Sequence, residues 1–137
     1  MKAIDKEAQA VMDRLTVGLN ETLNHRKINN ADGIFMPVTA EWIGKCDSGT
    51  LFSIAHYYEQ NGDMMRDPEM IFLKGHDGKY YPTYFRQDTM WGIPVEQKSI
   101  VIHEGKPLVA YPRMQEDHVS FANVWMRNIK EQQKLEV

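Results

Sequence analysis

The sequence predicts an α+β fold, an antiparallel meander sheet of five or six strands flanked by an N-terminal and a C-terminal helix. Three observations predict it. Apolar residues recur at helical spacing at both ends of the chain. Between those ends, β-branched and aromatic runs alternate with turn signals. No linker, internal repeat or low-complexity tract interrupts the 137 residues, so a single α+β domain over 1–137 is expected.

The N-terminal helix is expected over 1–27. Ile4, Ala8, Val11, Leu15, Leu19 and Leu23 fall three or four residues apart and form one stripe, which Gly18 weakens. Asn29, Asn30, Asp32 and Gly33 then supply a turn. The sheet is expected over 34–111. Its first strand covers 34–43, with Pro37 near the start or on an edge. The second covers 50–58 and alternates Phe52, Ile54, His56 and Tyr58 on one face with Leu51, Ser53, Ala55 and Tyr57 on the other. An acidic loop at 59–69 leads to a short strand, Met70–Leu73, which Asp77-Gly78 joins to 79–86 as a hairpin. Residues 87–96 read as a connector with Trp91 and Ile93 as apolar anchors. A second hairpin pairs 97–103 with 107–111 around Glu104-Gly105. The C-terminal helix is expected over 115–133. Val119, Ala122, Trp125 and Ile129 line its apolar face, Glu116 and Asp117 occupy its first turn, and Arg127, Lys130 and Lys134 lie in its C-terminal half, an order that suits the helix dipole.

Composition excludes several classes. The formal net charge is -3, unlike the basic balance of a general nucleic-acid binder. No apolar run is long enough to span a membrane. The charged N-terminus does not resemble the apolar core of a signal peptide. The one cysteine, Cys46, excludes an internal disulfide and a cysteine-based zinc site, and it fits a reducing, cytoplasmic setting. The acidity is local. Glu59, Asp63, Asp67 and Glu69 outnumber Arg66 by three, which accounts for the whole net charge.

The same stretch holds the densest polar constellation, His56-Tyr57-Tyr58-Glu59-Gln60-Asn61-Gly62-Asp63 followed by Arg66-Asp67-Pro68-Glu69. Four carboxylates suit a hard cation, but Met64 and Met65 stand where further oxygen ligands are needed. Asn61-Gly62 is turn chemistry, and Asp67-Pro68-Glu69 resembles a helix N-cap. The five histidines lie at no short metal-ligand spacing, and His56 reads as a partly buried imidazole with a hydrogen-bond partner. A Cys46–His56 pair is conceivable, although the Cys46 segment reads more simply as a turn. No nucleophile elbow, phosphate loop or cofactor motif is present, so no catalytic residue, metal or cofactor is assigned. Tyr57, Tyr58, Tyr80, Tyr81, Tyr84 and Phe85 offer stacking surfaces for unpaired bases, and equally cross-strand or core positions.

The segment Ser53 to Met70, with its His-Tyr-Tyr-Glu-Gln-Asn-Gly-Asp and Arg-Asp-Pro-Glu-Met runs, resembles the signature of an uncharacterised family (a domain of unknown function) of small bacterial proteins. Such proteins are encoded on conjugative elements, plasmids and phages. Phe35–Val38, Tyr81–Tyr84 and Phe121–Ile129 are similar to the same family, so the resemblance spans about residues 30–133 and leaves the N-terminal helix outside. It carries over no catalytic residue. It implies an accessory protein of a mobile genetic element, cytoplasmic and α+β.

The leading expectation is a non-enzymatic protein-interaction or regulatory module with a protein partner. Its contact surface comprises His56, Tyr57, Tyr58, Glu59, Asn61, Asp63, Met64, Met65, Arg66, Asp67 and Glu69. Two methionines among charges suit a contact with the basic surface of a partner. The alternatives are a small enzyme or metal-binding protein using His56, Glu59, Asp63 and Asp67, and a single-stranded nucleic-acid binder.

Overall fold

The computed structural model describes residues 1–89 and 93–137. Its elements run α1 (Lys6–Thr16), β1 (His25–Ile28), β2 (Val38–Cys46), β3 (Gly49–Gln60), β4 (Asp63–Gly75), β5 (Tyr80–Gln87), β6 (Val95–Lys98), β7 (Ile100–His103), β8 (Lys106–Val109) and α2 (Pro112–Gln132). β1 to β6 form one antiparallel sheet in sequence order, and β7 and β8 form a separate hairpin. The fold is therefore α+β, with a six-stranded meander and a helix near each end of the chain.

The first correction concerns the N-terminal helix, which covers Lys6–Thr16 rather than 1–27. Asp5 caps it, its side chain accepting from the Ala8 N–H at 2.9 Å. The Leu19 and Leu23 spacing continues the helical period, but Gly18 adopts a φ of 78° and breaks it. Arg26 then donates through Nη1 to the Leu15 carbonyl at 2.8 Å, occupying an acceptor that the helix end leaves open. Arg26 belongs to β1, so the stretch expected to close the helix is instead the first edge strand.

The core lies between the sheet and the two helices. Ala8, Val11, Met12 and Leu15 of α1 and Ala122, Trp125, Met126 and Ile129 of α2 pack with Val38, Ala40, Ile54, Met70 and Phe72 of the sheet. Cross-strand register explains which strand residues join them. Ala40, Ile54, Met70 and Phe85 pair in one row and therefore share a face. The neighbouring row, Glu41, Ser53 and Ile71, faces the opposite way. Each fully buried aliphatic or aromatic side chain in this layer contributes about 1.5–3 kcal/mol.

β3 and β4 form a hairpin much longer than expected. The Met70–Leu73 strand is the inner part of a strand that begins at Asp63. Residues 59–69 are therefore no loop, and Asp67-Pro68-Glu69 is no helix cap. Pro68 lies within β4, where the register shifts between Ala55 and Tyr57. At the base of this hairpin Gly49 is required, because a Cβ there would fall 1.9 Å from the Lys74 carbonyl oxygen. β6 takes up part of the expected connector and pairs with β5. Trp91 lies outside the described residues. α2 starts at Pro112 in the first helical position, so Glu116 and Asp117 fall beyond the first turn.

Candidate functional site

The outer end of the β3–β4 hairpin is closed by Asn61-Gly62, with φ values of 52° and 86°. Two consecutive positive φ angles match a type I′ turn, which Asn-Gly favours. Asn61 thus has a turn role. Behind it, Gln60 pairs with Asp63, Glu59 with Met64, Tyr58 with Met65 and Tyr57 with Arg66. Side-chain alternation puts Glu59 and Met64 on one face and Tyr58 and Met65 on the other. Met64 is 63% exposed, whereas Met65 is half-buried. Glu59, Asn61 and Asp63 are exposed as well.

The remaining expected residues divide between the two sheet faces. His56 turns towards α2, is buried, and meets Trp125 edge-on with ring centres 5.5 Å apart. Its Nδ1 lies 2.9 Å from the Pro37 carbonyl, the partner that a buried imidazole needs. Glu69 joins the opposite face, accepting from Ser53 Oγ at 2.6 Å and pairing with Arg66 Nε at 3.4 Å. Tyr57 adjoins this pair. Burial pushes its hydroxyl pKa up, the carboxylates of Glu69 and Glu41 add to the rise, and Arg66 opposes it. Asp67 accepts from Gln87 Nε2 at 2.8 Å. The Arg66 N–H donates to Asp88 Oδ2 at 3.0 Å, and Arg86 Nε donates to the other oxygen at 2.9 Å. Burial works to raise the Asp88 pKa, but these hydrogen bonds and the two arginine charges outweigh it and hold the carboxyl low.

His56, Glu59, Asp63 and Asp67 therefore do not gather at one point. Among the described residues, no group of three or more His, Cys, Asp or Glu side chains is placed to hold a metal ion. The physical reason is strand alternation, which separates residues that are close in sequence. Cys46 pairs with Gly49 at the β2–β3 turn, seven residues along β3 from His56. That separation is about 23 Å at the rise of a strand, which rules out a Cys46–His56 pair.

The aromatic residues form no continuous platform. Tyr80 is buried in the core, and its hydroxyl donates to Asp13 at 2.8 Å. Phe85 packs edge-on against Phe121 with ring centres 5.3 Å apart. Tyr81 and Tyr84 occupy the opposite face and donate to Asp77 and Glu96. The hydrogen bond to Asp77 pushes the Tyr81 hydroxyl up to about 12.

One arrangement escaped the sequence reading. Ser99 Oγ lies 2.8 Å from His118 Nδ1, and His118 Nε2 lies 3.0 Å from Gln97 Oε1. A hydroxyl, an imidazole and an orienting oxygen are connected as in an acyl-transfer relay. Ser99 is 0% exposed, however, so no substrate reaches its oxygen. The relay ties the start of the β7–β8 hairpin to α2 instead.

Three adjoining cavities surround the hairpin end. One of about 490 Å³ lies among Met36, Tyr58, Asp67, Gln87, Asp88 and Thr89. A second, of about 400 Å³, shares Asp88 and Thr89 and adds Asp63, Met64 and Met65. A third, of about 350 Å³, shares Met36 with the first and reaches His56 and Trp125. The segment before β2 was not among the expected site residues, yet it exposes Ile34 at 77% and Phe35 at 44% beside this surface. Gln133 holds that segment in place. It accepts the Asn30 N–H at 2.7 Å and donates to the Met36 carbonyl at 3.1 Å. The sequence signal is the apolar run Ile34-Phe35-Met36, but the strand expected over 34–43 begins only at Val38, so the run lies before β2.

No curated protein and no solved structure matches the chain. A domain of unknown function, DUF6908, matches residues 6–135. That span takes in α1, which the sequence resemblance had left outside. The chain belongs to the DUF6908 family, over nearly its whole length.

Proposed function

We propose that the chain is a non-enzymatic interaction module, acting as one domain, whose contact surface is the outer end of the β3–β4 hairpin. One observation carries this reading. Met64 extends into solvent beside the acidic Glu59, its cross-strand partner, with Asp63 next to it in the chain, where burial gives it no reason to be apolar. The apolar side chain supplies buried area to a partner, and the carboxylates set its orientation. A protein presenting an apolar recess with a basic rim fits this chemistry. The exposed Ile34 and Phe35 extend the surface from a segment whose backbone Gln133 fixes at Asn30 and Met36, which lowers the entropic cost of ordering that backbone on association. The sequence resemblance supports a setting as a cytoplasmic accessory protein of a bacterial mobile element.

The splayed carboxylates and the sealed Ser99–His118 relay are why this reading is preferred to an enzyme. Among the described residues, no helix is long and apolar enough to cross a membrane. A photo-crosslinking residue in place of Met64 tests the proposal in cells. A single discrete adduct is expected at this position and none from the same residue in place of exposed Lys106. Equal labelling from both positions removes the support.

A further inference from the structure

The 490 Å³ cavity at the outer end of the sheet collects Met36, Tyr58, Asp67, Gln87, Asp88 and Thr89. Its volume lies within the range of small-molecule pockets, roughly 300–1,000 Å³. Strand alternation shows which side chains share its side of the sheet. Phe85 packs on the helix-covered face, so Gln87, two residues further along β5, turns the same way. In β4 the Arg66 side chain lies on the opposite face, where it pairs with Glu69, so its neighbours Met65 and Asp67 turn to the helix side. Tyr58 is the cross-strand partner of Met65 and shares that face. A hydrogen bond of 2.8 Å from Gln87 Nε2 to Asp67 Oδ1 joins two of these side chains directly. Among the described residues, none from α2 lines this stretch, and Met36 from the segment before β2 stands over it instead.

One carboxylate here lacks a cation. Among the described residues Asp67 forms no ion pair, and its side chain bonds only to the neutral amide of Gln87. The neighbouring arginines are committed elsewhere, Arg66 to Glu69 and Arg86 to Asp88 and Glu96. Asp88 differs from Asp67 in this respect, because the Arg66 N–H and Arg86 Nε hold its two oxygens. The bond between Gln87 and Asp67 leaves Asp67 Oδ2 and Gln87 Oε1 unpartnered among the described residues. These are two acceptors on side chains already tied together. Asp67 is half-buried and Gln87 exposed, so a ligand can reach both residues.

We propose that this cavity receives the guanidinium of an arginine side chain from the partner, which donates to Asp67 Oδ2 and Gln87 Oε1 and lays its flat face on the Tyr58 ring. Two acceptors side by side suit a planar fork of donors better than the single ammonium of lysine. The ring attracts the cation, and Met36 offers apolar surface to the methylene stem. This inference rests on the contact surface proposed above and names one feature of the partner's basic rim. The adjoining cavity is lined by Met64, so one partner surface reaches both.

The test uses the full chain and Nα-acetyl-arginine methylamide as the probe. Its citrulline counterpart, which keeps the shape and loses the charge, and its lysine counterpart are the controls. Binding is read from the Gln87 side-chain amide signal in nitrogen–proton correlation NMR, assigned with Gln87→Glu. The arginine probe is expected to shift this signal saturably and to bind at least about tenfold more tightly than the citrulline one, with lysine between them. Asp67→Asn, which keeps an oxygen for Gln87, is expected to erase the preference over citrulline. A signal that stays unmoved at millimolar arginine probe overturns the proposal, as does equal binding of the arginine probe and either control. The probes need no partner, so the two readings fail separately. A crosslinked adduct at position 64 without probe binding removes the arginine site and leaves the contact surface standing. Probe binding without an adduct keeps the guanidinium site and removes the contact surface.

Discussion

Around Phe52 and Phe72 the β3–β4 ladder is covered by helices, whereas around Glu59 and Met64 the same ladder ends in solvent. The two stretches share a backbone pattern, and their side chains differ in what they meet. At the inner end, Phe52, Ile54, Met70 and Phe72 are buried against α1 and α2. At the outer end, an Asn-Gly turn shapes the strands and the side chains are left to solvent. The comparison shows that one hairpin can anchor the core and still project a surface unconstrained by packing. Residues at the outer end are then free to be chosen for contact.

The sharpest way to break this contrast is at the inner end. Phe72→Ala should cost about 3–5 kcal/mol through lost burial and the cavity left behind, read as a lower denaturant midpoint. A smaller effect is expected where the neighbouring surface is held in place. Gln133→Ala leaves the Asn30 N–H and the Met36 carbonyl without their partner and should cost about 1–3 kcal/mol. Faster amide exchange at 30–36, with protection unchanged in β3, would identify the loss as local.

A third, milder effect depends on pH. Burial pushes the His118 pKa below its ordinary 6.5, with Asp117 opposing the shift. The unfolded chain therefore takes up the proton first as pH falls. Stability from this group is full above pH 6.5 and declines as pH drops below it. The stability difference between wild type and His118→Gln should narrow through that window in denaturant titrations. The smallest effect belongs to the outer end, where Met64→Ser should change stability by no more than about 0.5 kcal/mol, because the side chain packs against little.

Much of the fold was legible in local signals. Asp77-Gly78 and Glu104-Gly105 marked two hairpins, and the period of Ala122, Trp125 and Ile129 marked α2. The helix end was misread because the apolar period runs through Gly18 to Leu23, while the capping Arg26 acts from another strand. The acidic stretch was misread because charge and Pro68 suggest a loop, whereas pairing with β3 extends it as a strand. The candidate site was legible only as a list of residues. Strand alternation sends His56 and Glu69 to opposite faces, and the Trp125 cavity joins residues 34–36 to the C-terminal helix. Ser99 and His118 meet only because the chain returns after the β7–β8 hairpin.

The contrast between the two ends of β3–β4 is tested most directly by pairing a melting curve with partner recovery for Glu59→Lys/Asp63→Lys in the chain that carries the photo-crosslinking residue at position 64. A melting temperature close to that of the chain without the two lysines is expected, with loss of the crosslinked complex from cells. A variant that melts far below that chain, or that still recovers the complex in full, would contradict the contrast.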